Sequence, residues 1–366
     1  MSSINTEPKL QKIRIEIDSL DAQILQLINQ RAAIAQKVAK IKHEYNAKAV
    51  RIYRPEREAQ ILHRLKTNNP GPLDNDTIIR LFKEIISACL ALEQPLRVAY
   101  LGPAGTFTQT ATLKHFGHAI DTIPVATIPD VFRDVESGAC QYGVVPIENS
   151  TEGVINHTLD MFIRSPLRIC GEICLRIHQH LLSHCESFNQ IKRIYSHPQS
   201  FAQCRGWLER HLPQAKHLSS GSNAEAVRQV AEETCENAAI AGEAAAELYN
   251  VNILARNLED EPSNTTRFLV IGNNEVPISG RDKTSLLMAC QNEVGGLHGL
   301  LEPFAQQGIS MTRIESRPSR TSLWEYVFFV DFEGHKDDPK TQQAFALLKQ
   351  RASLLKVLGS YPIAEN

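Results

Sequence analysis

The sequence predicts a multidomain chain of three unlike parts. These are an N-terminal all-α dimer-forming domain, a central α/β domain and a C-terminal βαββαβ domain of ferredoxin-like order. Three observations carry the prediction. Residues 9–54 contain neither Gly nor Pro and repeat apolar residues at steps of four and three. From Pro95, short apolar runs end in turns rich in hydroxyls and amides and alternate with helical stretches. From Arg281 the pattern reads strand (284–290), helix (294–307), strand (309–316), strand (324–332), helix (341–351), strand (354–359). The expected boundaries are 1–94, 95–280 and 281–366.

The first part places Ile13, Ile17, Leu20, Ile24, Leu27, Ile34, Val38 and Ile41 on one heptad seam. Pro55 suits the first turn of a second helix, and Asn68-Asn-Pro-Gly-Pro72 breaks it. A third helix follows Asp74 or Asp76, with Ile78, Phe82, Ile85 and Cys89 inward. Three such helices cannot bury a long seam in one compact monomer, so dimerisation through the first helix is expected.

Composition narrows the function classes. Hydrophobic residues at 42% and charged residues at 22% exclude a disordered, collagen-like or disulfide-stapled chain. The balance of 39 Lys+Arg and 41 Asp+Glu, net −2, implies neither a nucleic-acid nor a membrane partner. No apolar run approaches the roughly 18–20 residues that span a bilayer, and MSSINTEPK has no apolar signal core, so a cytoplasmic location is expected. The eight cysteines form no CxxC pair and read as free thiols. His178, His180, His184 and Cys185 match no zinc spacing. Alternation at Ile173, Leu175 and Ile177 predicts a strand with His178 and His180 on its wet face. Neither a metal nor a cofactor is expected.

Charge is uneven within the first part. Residues 9–66 hold 13 Lys+Arg and 6 Asp+Glu, which suits a small anion or a nucleic acid. Arg31 interrupts the seam, and a charge there needs a neutralising partner, either an anion or an ion pair across a dimer interface. Lys42 lies 11 residues on, about 16 Å along the same face. Arg14 is 17 residues before Arg31, roughly 25 Å away, and reaches the same ligand only from an antiparallel partner helix. Arg57 and Glu58, with Cys89 and Glu93, complete such a pocket.

Ile17-x-x-Leu-Asp-x-x-Ile-x-x-Leu-Ile-x-x-Arg31, Lys42 and Tyr53-Arg-Pro-Glu-Arg-Glu58 make residues 8–94 resemble the all-helical, intertwined chorismate mutase family. The resemblance implies that Arg14 of the other subunit and Arg31 clamp the two carboxylates of chorismate. Lys42 would donate to the ether oxygen, and Arg57 and Glu58 would bind substrate, Glu58 accepting from its hydroxyl. Arg54, Cys89 and Glu93 stand where one well-known form of the family has Asp, Ser and Gln. Glu93 would donate only when protonated, so activity is expected to fall as pH rises through its pKa.

In the second part, Arg97–Leu101, Gly143–Ile147, Ile191–Tyr195, Ala238–Gly242 and Arg267–Ile271 read as strands. Each turn taken alone is ordinary helix capping; several aimed at one cleft would bind a carboxylate. Gly102-Pro-x-Gly-Thr-Phe107, Val145-Pro-Ile-Glu-Asn-Ser150, Ser196-His-Pro-Gln199 and Thr265-Thr-Arg-Phe268 resemble prephenate dehydratase. That family has two α/β lobes like a periplasmic binding protein. The resemblance implies Thr266 as the key hydroxyl, Thr106 as an anion contact, and Glu148, Asn149, Ser196 and Gln199 as orienting groups. Arg267 would hold a carboxylate or pair structurally.

The third part resembles an ACT domain through Glu315-Ser-Arg-Pro318. Gly295-Gly-Leu-His298 stands where the family often has Gly-Ala-Leu-Val. The resemblance implies phenylalanine held near Gly295, Leu297, His298, Glu315 and Ser316. The expectation is thus a two-reaction enzyme, a homodimer or higher homo-oligomer, acting on chorismate and prephenate under phenylalanine feedback. The alternative is a non-catalytic amino-acid-binding sensor.

Overall fold

The computed structural model describes residues 7–45, 53–233, 235–290, 293–319 and 326–364, with Pro8, Lys42, His43 and Tyr45 described by backbone alone. Helix α1 (Glu7–Tyr45) carries Pro8 in its first turn and then runs unbroken, as the lack of Gly and Pro from residue 9 on allows. Its seam residues Ile13, Ile17, Leu20, Ile24, Leu27 and Ile34 are 50–64% exposed. Leaving such a stripe in water forfeits about 25 cal/mol per Å² of apolar surface. Helix α2 (Pro55–Asn68) starts with Pro55 in its first turn, and α3 (Asn75–Ala91) is capped by Asp74, which accepts from Thr77 N. In α3 the fully buried residues are Ile86, Ser87 and Cys89, while Ile78, Phe82 and Ile85 are half-buried. The helix turns Ser87 toward α4 (Phe107–Phe116), where the left-handed Gly117 admits it; a Cβ at Gly117 would overlap Ser87.

The middle of the chain forms two lobes. The first contains β1 (Arg97–Leu101), β2 (Asp121–Val125), α5 (Ile128–Glu136), β3 (Tyr142–Asn149), β4 (Gly153–Val154), α6 (Asn156–Arg164) and β5 (Arg168–Arg176). The chain then enters the second lobe. It holds β6 (His180–Ser183), β7 (Arg193–Ser196), α7 (Pro198–Gln203), α8 (Arg205–His211), β8 (Lys216–Ser219), α9 (Asn223–Glu232), β9 (Asn237–Ala241), α10 (Glu243–Tyr249) and β10 (Ile253–Ala255). It returns as β11 (Thr265–Gly272). The sheet orders are β2-β1-β3-β11-β5, with β4 on β3, and β10-β6-β9-β7-β8. Val98, Val144, Val145, Val270 and Ile271 lose all their surface, as continuous apolar runs covered on both faces should.

The expected strand through Ile173 to His180 does not form. Strand β5 stops at Arg176, and β6 starts at His180 in the other lobe. His180 is buried, not wet, and its Nδ1 accepts from Asn257 N at 3.1 Å; His178 pairs with Glu259 at 2.8 Å. The alternation failed because the chain changes lobes within the apparent strand.

The last part is β12 (Asp282–Ala289), α11 (Gly296–Gln306), β13 (Met311–Pro318), β14 (Tyr326–Glu333), α12 (Pro339–Arg351) and β15 (Leu354–Pro362). The order βαββαβ is the expected one, with the sheet running β13-β14-β12-β15. It shares one apolar core with lobe one: Val145, Ile147, Leu159 and Phe162 pack with Leu287, Val327, Phe329 and Leu358. Strand β15 approaches β5 so closely that a Cβ at Gly359 would overlap the Ile169 backbone.

Candidate functional site

Thr266 is 8% exposed, on the second residue of β11. It is paired in register with Asn149, the last residue of β3. Asn149 Nδ2 donates to Thr266 Oγ1 at 2.8 Å and to Asn264 Oδ1 at 2.9 Å. Asn149 Oδ1 accepts from Thr151 N, Thr151 Oγ1 and Glu152 N at 3.0, 2.7 and 3.1 Å. Those donors fix the amide orientation, so Thr266 Oγ1 is an acceptor toward Asn149. Its own proton is left to point elsewhere. A neutral hydroxyl aimed this way can donate a hydrogen bond to a departing oxygen.

Thr106 precedes α4 and donates to Leu101 O and Pro103 O at 3.2 and 3.0 Å. In the second lobe, Ser196 is fully buried at the end of β7, where its Oγ lies 3.1 Å from Asn223 Oδ1 and 3.0 Å from Ile240 O. Gln199 is exposed, and its N–H donates to His197 Nδ1 at 3.3 Å. Burial lowers the His197 imidazole below its ordinary pKa, against the pull of Glu152 in lobe one.

Strand alternation removes two expected residues from this face. Arg267 and Glu148, paired in register one step from Thr266 and Asn149, point to the opposite side of the sheet. Arg267 donates to Glu172 at 2.8 Å, Asp331 at 2.7 Å and Tyr361 Oη at 3.1 Å. Lys283 reaches both Glu172 oxygens at 2.8 Å. Burial alone would lift Asp331; Arg267 beside it outweighs that and holds its carboxyl below the usual range. Glu148 faces Arg313 at 3.3 Å. Of the two roles expected for Arg267, the structure shows the structural pair.

The helical part is less complete within one chain. Arg14 is exposed beside Glu7, Arg31 is half-buried, and Arg57 is exposed. The Lys42 side chain lies outside the described residues. Cys89 is buried in α3 and Glu93 is half-buried beyond its end. Glu58 instead lines a cavity of about 1110 Å³ bounded by Tyr53, Lys83, Lys114 and His115. Burial pushes Glu58 up to about 7, Lys83 pulling the other way, and burial holds His115 down at about 3. Among the described residues no hydrogen bond or ion pair joins Arg31 to Arg57 or Glu58. The cavity lies against β5 and α4, and Leu175 in its lining is paired in register with Thr266.

Residues 13–94 match the family described as chorismate mutase type II, 98–276 match prephenate dehydratase, and 284–346 match the ACT domain. A Pseudomonas aeruginosa protein named bifunctional chorismate mutase/prephenate dehydratase is 53% identical over 361 residues, covering 98% of this chain and 99% of its own. This chain belongs to the bifunctional chorismate mutase/prephenate dehydratase family. The crystal structure of an Arthrobacter aurescens prephenate dehydratase in complex with L-Phe is 33% identical with a TM-score of 0.68, covering 73% of this chain and 90% of that one. A protein described as a quorum-quenching acylase is 28% identical with a TM-score of 0.67, covering 73% and 98%. The shared fold alone therefore does not fix the chemistry; the Thr266 site must.

In the ACT region, Gly295 holds φ +82°, a left-handed turn that opens α11, with Leu297 and His298 exposed just after it. Glu315 is half-buried and Ser316 exposed on β13, the edge of the ACT sheet. Two asparagines of the dehydratase region escaped sequence reasoning. Asn264 stands immediately before the Thr-Thr-Arg-Phe motif, a signal that was available. Asn223 binds Ser196 and Ser200 from 27 and 23 residues away, and nothing local marks it. Among the described residues, no cluster of three His, Cys, Asp or Glu is placed to hold a metal, and no helix is long and apolar enough to cross a membrane.

Proposed function

We propose that the chain converts chorismate to prephenate in its helical domain (1–94) and prephenate to phenylpyruvate in its two-lobed domain (95–280). Phenylalanine, acting at the ACT domain (281–366), inhibits the second step. The observation that carries this is the Asn149–Thr266 pair, a buried neutral donor held by a fixed amide. The carboxylate C–C bond of prephenate breaks and its electron pair aromatises the ring. CO₂ departs, the ring hydroxyl leaves under the Thr266 hydrogen bond, and one proton is taken up to release water. Backbone N–H groups at the start of α4, beside Thr106, would receive a substrate carboxylate.

The first step is a unimolecular rearrangement that needs grip rather than a nucleophile. Arg31 and Lys42 with Arg14 of a second copy supply it, and Arg57, Glu58, Cys89 and Glu93 complete the pocket. The exposed α1 seam supports the homodimer this requires. The ACT groups Gly295, Leu297, His298, Glu315 and Ser316 would bind phenylalanine, a reading supported by the L-Phe complex of the Arthrobacter dehydratase. The free state of all eight cysteines suits a reducing cytoplasm. The test supplies chorismate and follows phenylpyruvate with and without phenylalanine. Formation that phenylalanine suppresses supports the proposal; turnover of neither chorismate nor prephenate overturns it in favour of a binding protein.

A further inference from the structure

The residue pairs Glu148–Asn149 on β3 and Thr266–Arg267 on β11 each present one side chain to the cleft and the other to the ACT domain. On the cleft side stand Asn149 and Thr266. On the far side, Arg267 binds Asp331 of β14 at 2.7 Å, and Glu148 faces Arg313 of β13 at 3.3 Å. Between Arg267 and Phe268 the β3–β11 register slips by one residue, so Ile147 is the extra residue beside this motif. Such a bulge re-aims neighbouring side chains and leaves their direction dependent on what holds them.

The two ties differ in firmness. Asp331 is closed into a network in which its carboxylate also accepts from Ser285 at 2.5 Å, and Ser285 is 2.7 Å from Tyr361 Oη. Arg313 is 11% exposed, yet among the described residues its Nε and Nη2 make no hydrogen bond. Its attraction to Glu148 is a charge contact without locked geometry. It belongs to β13, the strand that carries Glu315 and Ser316. A shift of β13 on binding an effector therefore changes the Arg313–Glu148 contact before it changes the deeper one.

We propose that Glu148 and Arg267 are positioning residues rather than substrate ligands: through Arg313 and Asp331 the ACT domain holds the Asn149–Thr266 pair from behind the sheet, and the Arg313–Glu148 contact is where an effector's binding reaches the dehydratase site. The inference rests on the dehydratase reading above. It requires phenylalanine to favour one arrangement of that contact over another.

Arg313→Gln and Glu148→Gln, made separately and together in the full chain, test it with prephenate as substrate. Each is expected to lower kcat about three- to tenfold with KM held within about twofold, because aim is lost and grip is kept. Each is also expected to raise the half-inhibitory phenylalanine concentration at least about tenfold while calorimetry finds phenylalanine binding unchanged, a loss within the usual range of site-to-site coupling. The double variant should be no worse than either single one. Arg313→Lys, which restores the charge, should recover much of the inhibition, separating loss of the contact from loss of folding. The mutase rate with chorismate serves as the internal control. A tenfold rise in KM with inhibition intact would return Glu148 to the substrate and overturn the proposal. So would unchanged inhibition, or inhibition lost together with phenylalanine binding. A wild-type chain that makes no phenylpyruvate from prephenate removes the dehydratase reading itself, and this proposal with it.

Discussion

Ile24 and Leu27 on α1 keep more than half their surface, while Val270 and Ile271 on β11 keep none. Both sets are aliphatic and both sit on long regular elements. The difference is what covers them. Strand β11 lies between β3 and β5 and under the ACT domain, so one chain supplies its whole environment. Among the described residues, helix α1 has no helix covering most of its seam. The lesson concerns the two sites as well as the two cores. The proposed dehydratase donor, its amide partner and its proposed rear supports all come from one chain, whereas the mutase pocket as proposed borrows Arg14 from another. The chemistry differs in the same direction. Elimination needs one well-aimed donor, and rearrangement of a dianion needs several cations converging on it.

Each expected outcome tests that contrast. The largest is for Thr266→Ala, which removes the donor and should cut phenylpyruvate formation about 10²–10⁴-fold. Prephenate should then accumulate from chorismate at the wild-type rate, which a coupled assay reads directly. Arg31→Ala should do the converse, lowering mutase kcat/KM about 10²–10³-fold and sparing turnover of supplied prephenate. If Arg31→Ala also stopped the dehydratase, the two sites would not be separable in this way.

A smaller effect, roughly tenfold, is expected from Leu20→Glu with Ile24→Glu, which places charges on the seam. Mutase activity should fall at low protein concentration and recover as concentration rises, with sedimentation reporting the weakened dimer. Retention of full mutase activity by a monomer would break the comparison at its root.

The smallest concerns Glu58. Its folded pKa of about 7 lies above the ordinary carboxyl value, so the folded state holds a proton that the unfolded chain has released. Its contribution to stability is then present at acid pH and is lost as pH rises toward 7. Between pH 5 and 8 the wild type should lose more melting temperature than Glu58→Gln, by about 2–4 °C. Equal slopes for the two would show that Glu58 ionises freely.

Much of this was legible in the residues. Helix α1, the strands ending in the dehydratase motifs and the βαββαβ order of the ACT region follow from local periodicity, which operates over a few residues and survives any tertiary arrangement. Thr266 and Asn149 were singled out from their motifs, and the structure brings the two side chains within 2.8 Å. What failed did so where two distant segments decide one side chain's surroundings. Period-two alternation already implied that Arg267 and Thr266 face opposite ways, yet which face held the cleft depended on where the ACT domain sits. Likewise, an alternating run predicted His180 on a wet face because nothing local records that the chain leaves one lobe for the other at Ile177.

The sequence by itself therefore determined the elements, their order and the residue types able to do the chemistry, since these depend on backbone preference and side-chain functional groups. Only the tertiary structure decided that Glu148 and Arg267 turn to the ACT domain and that Glu58 lines a cavity beside Lys83. The physical reason is that burial and ion pairing are properties of neighbours, and the neighbours that matter here, from Lys83 beside Glu58 to Arg313 beside Glu148, lie from 25 to 165 residues away along the chain.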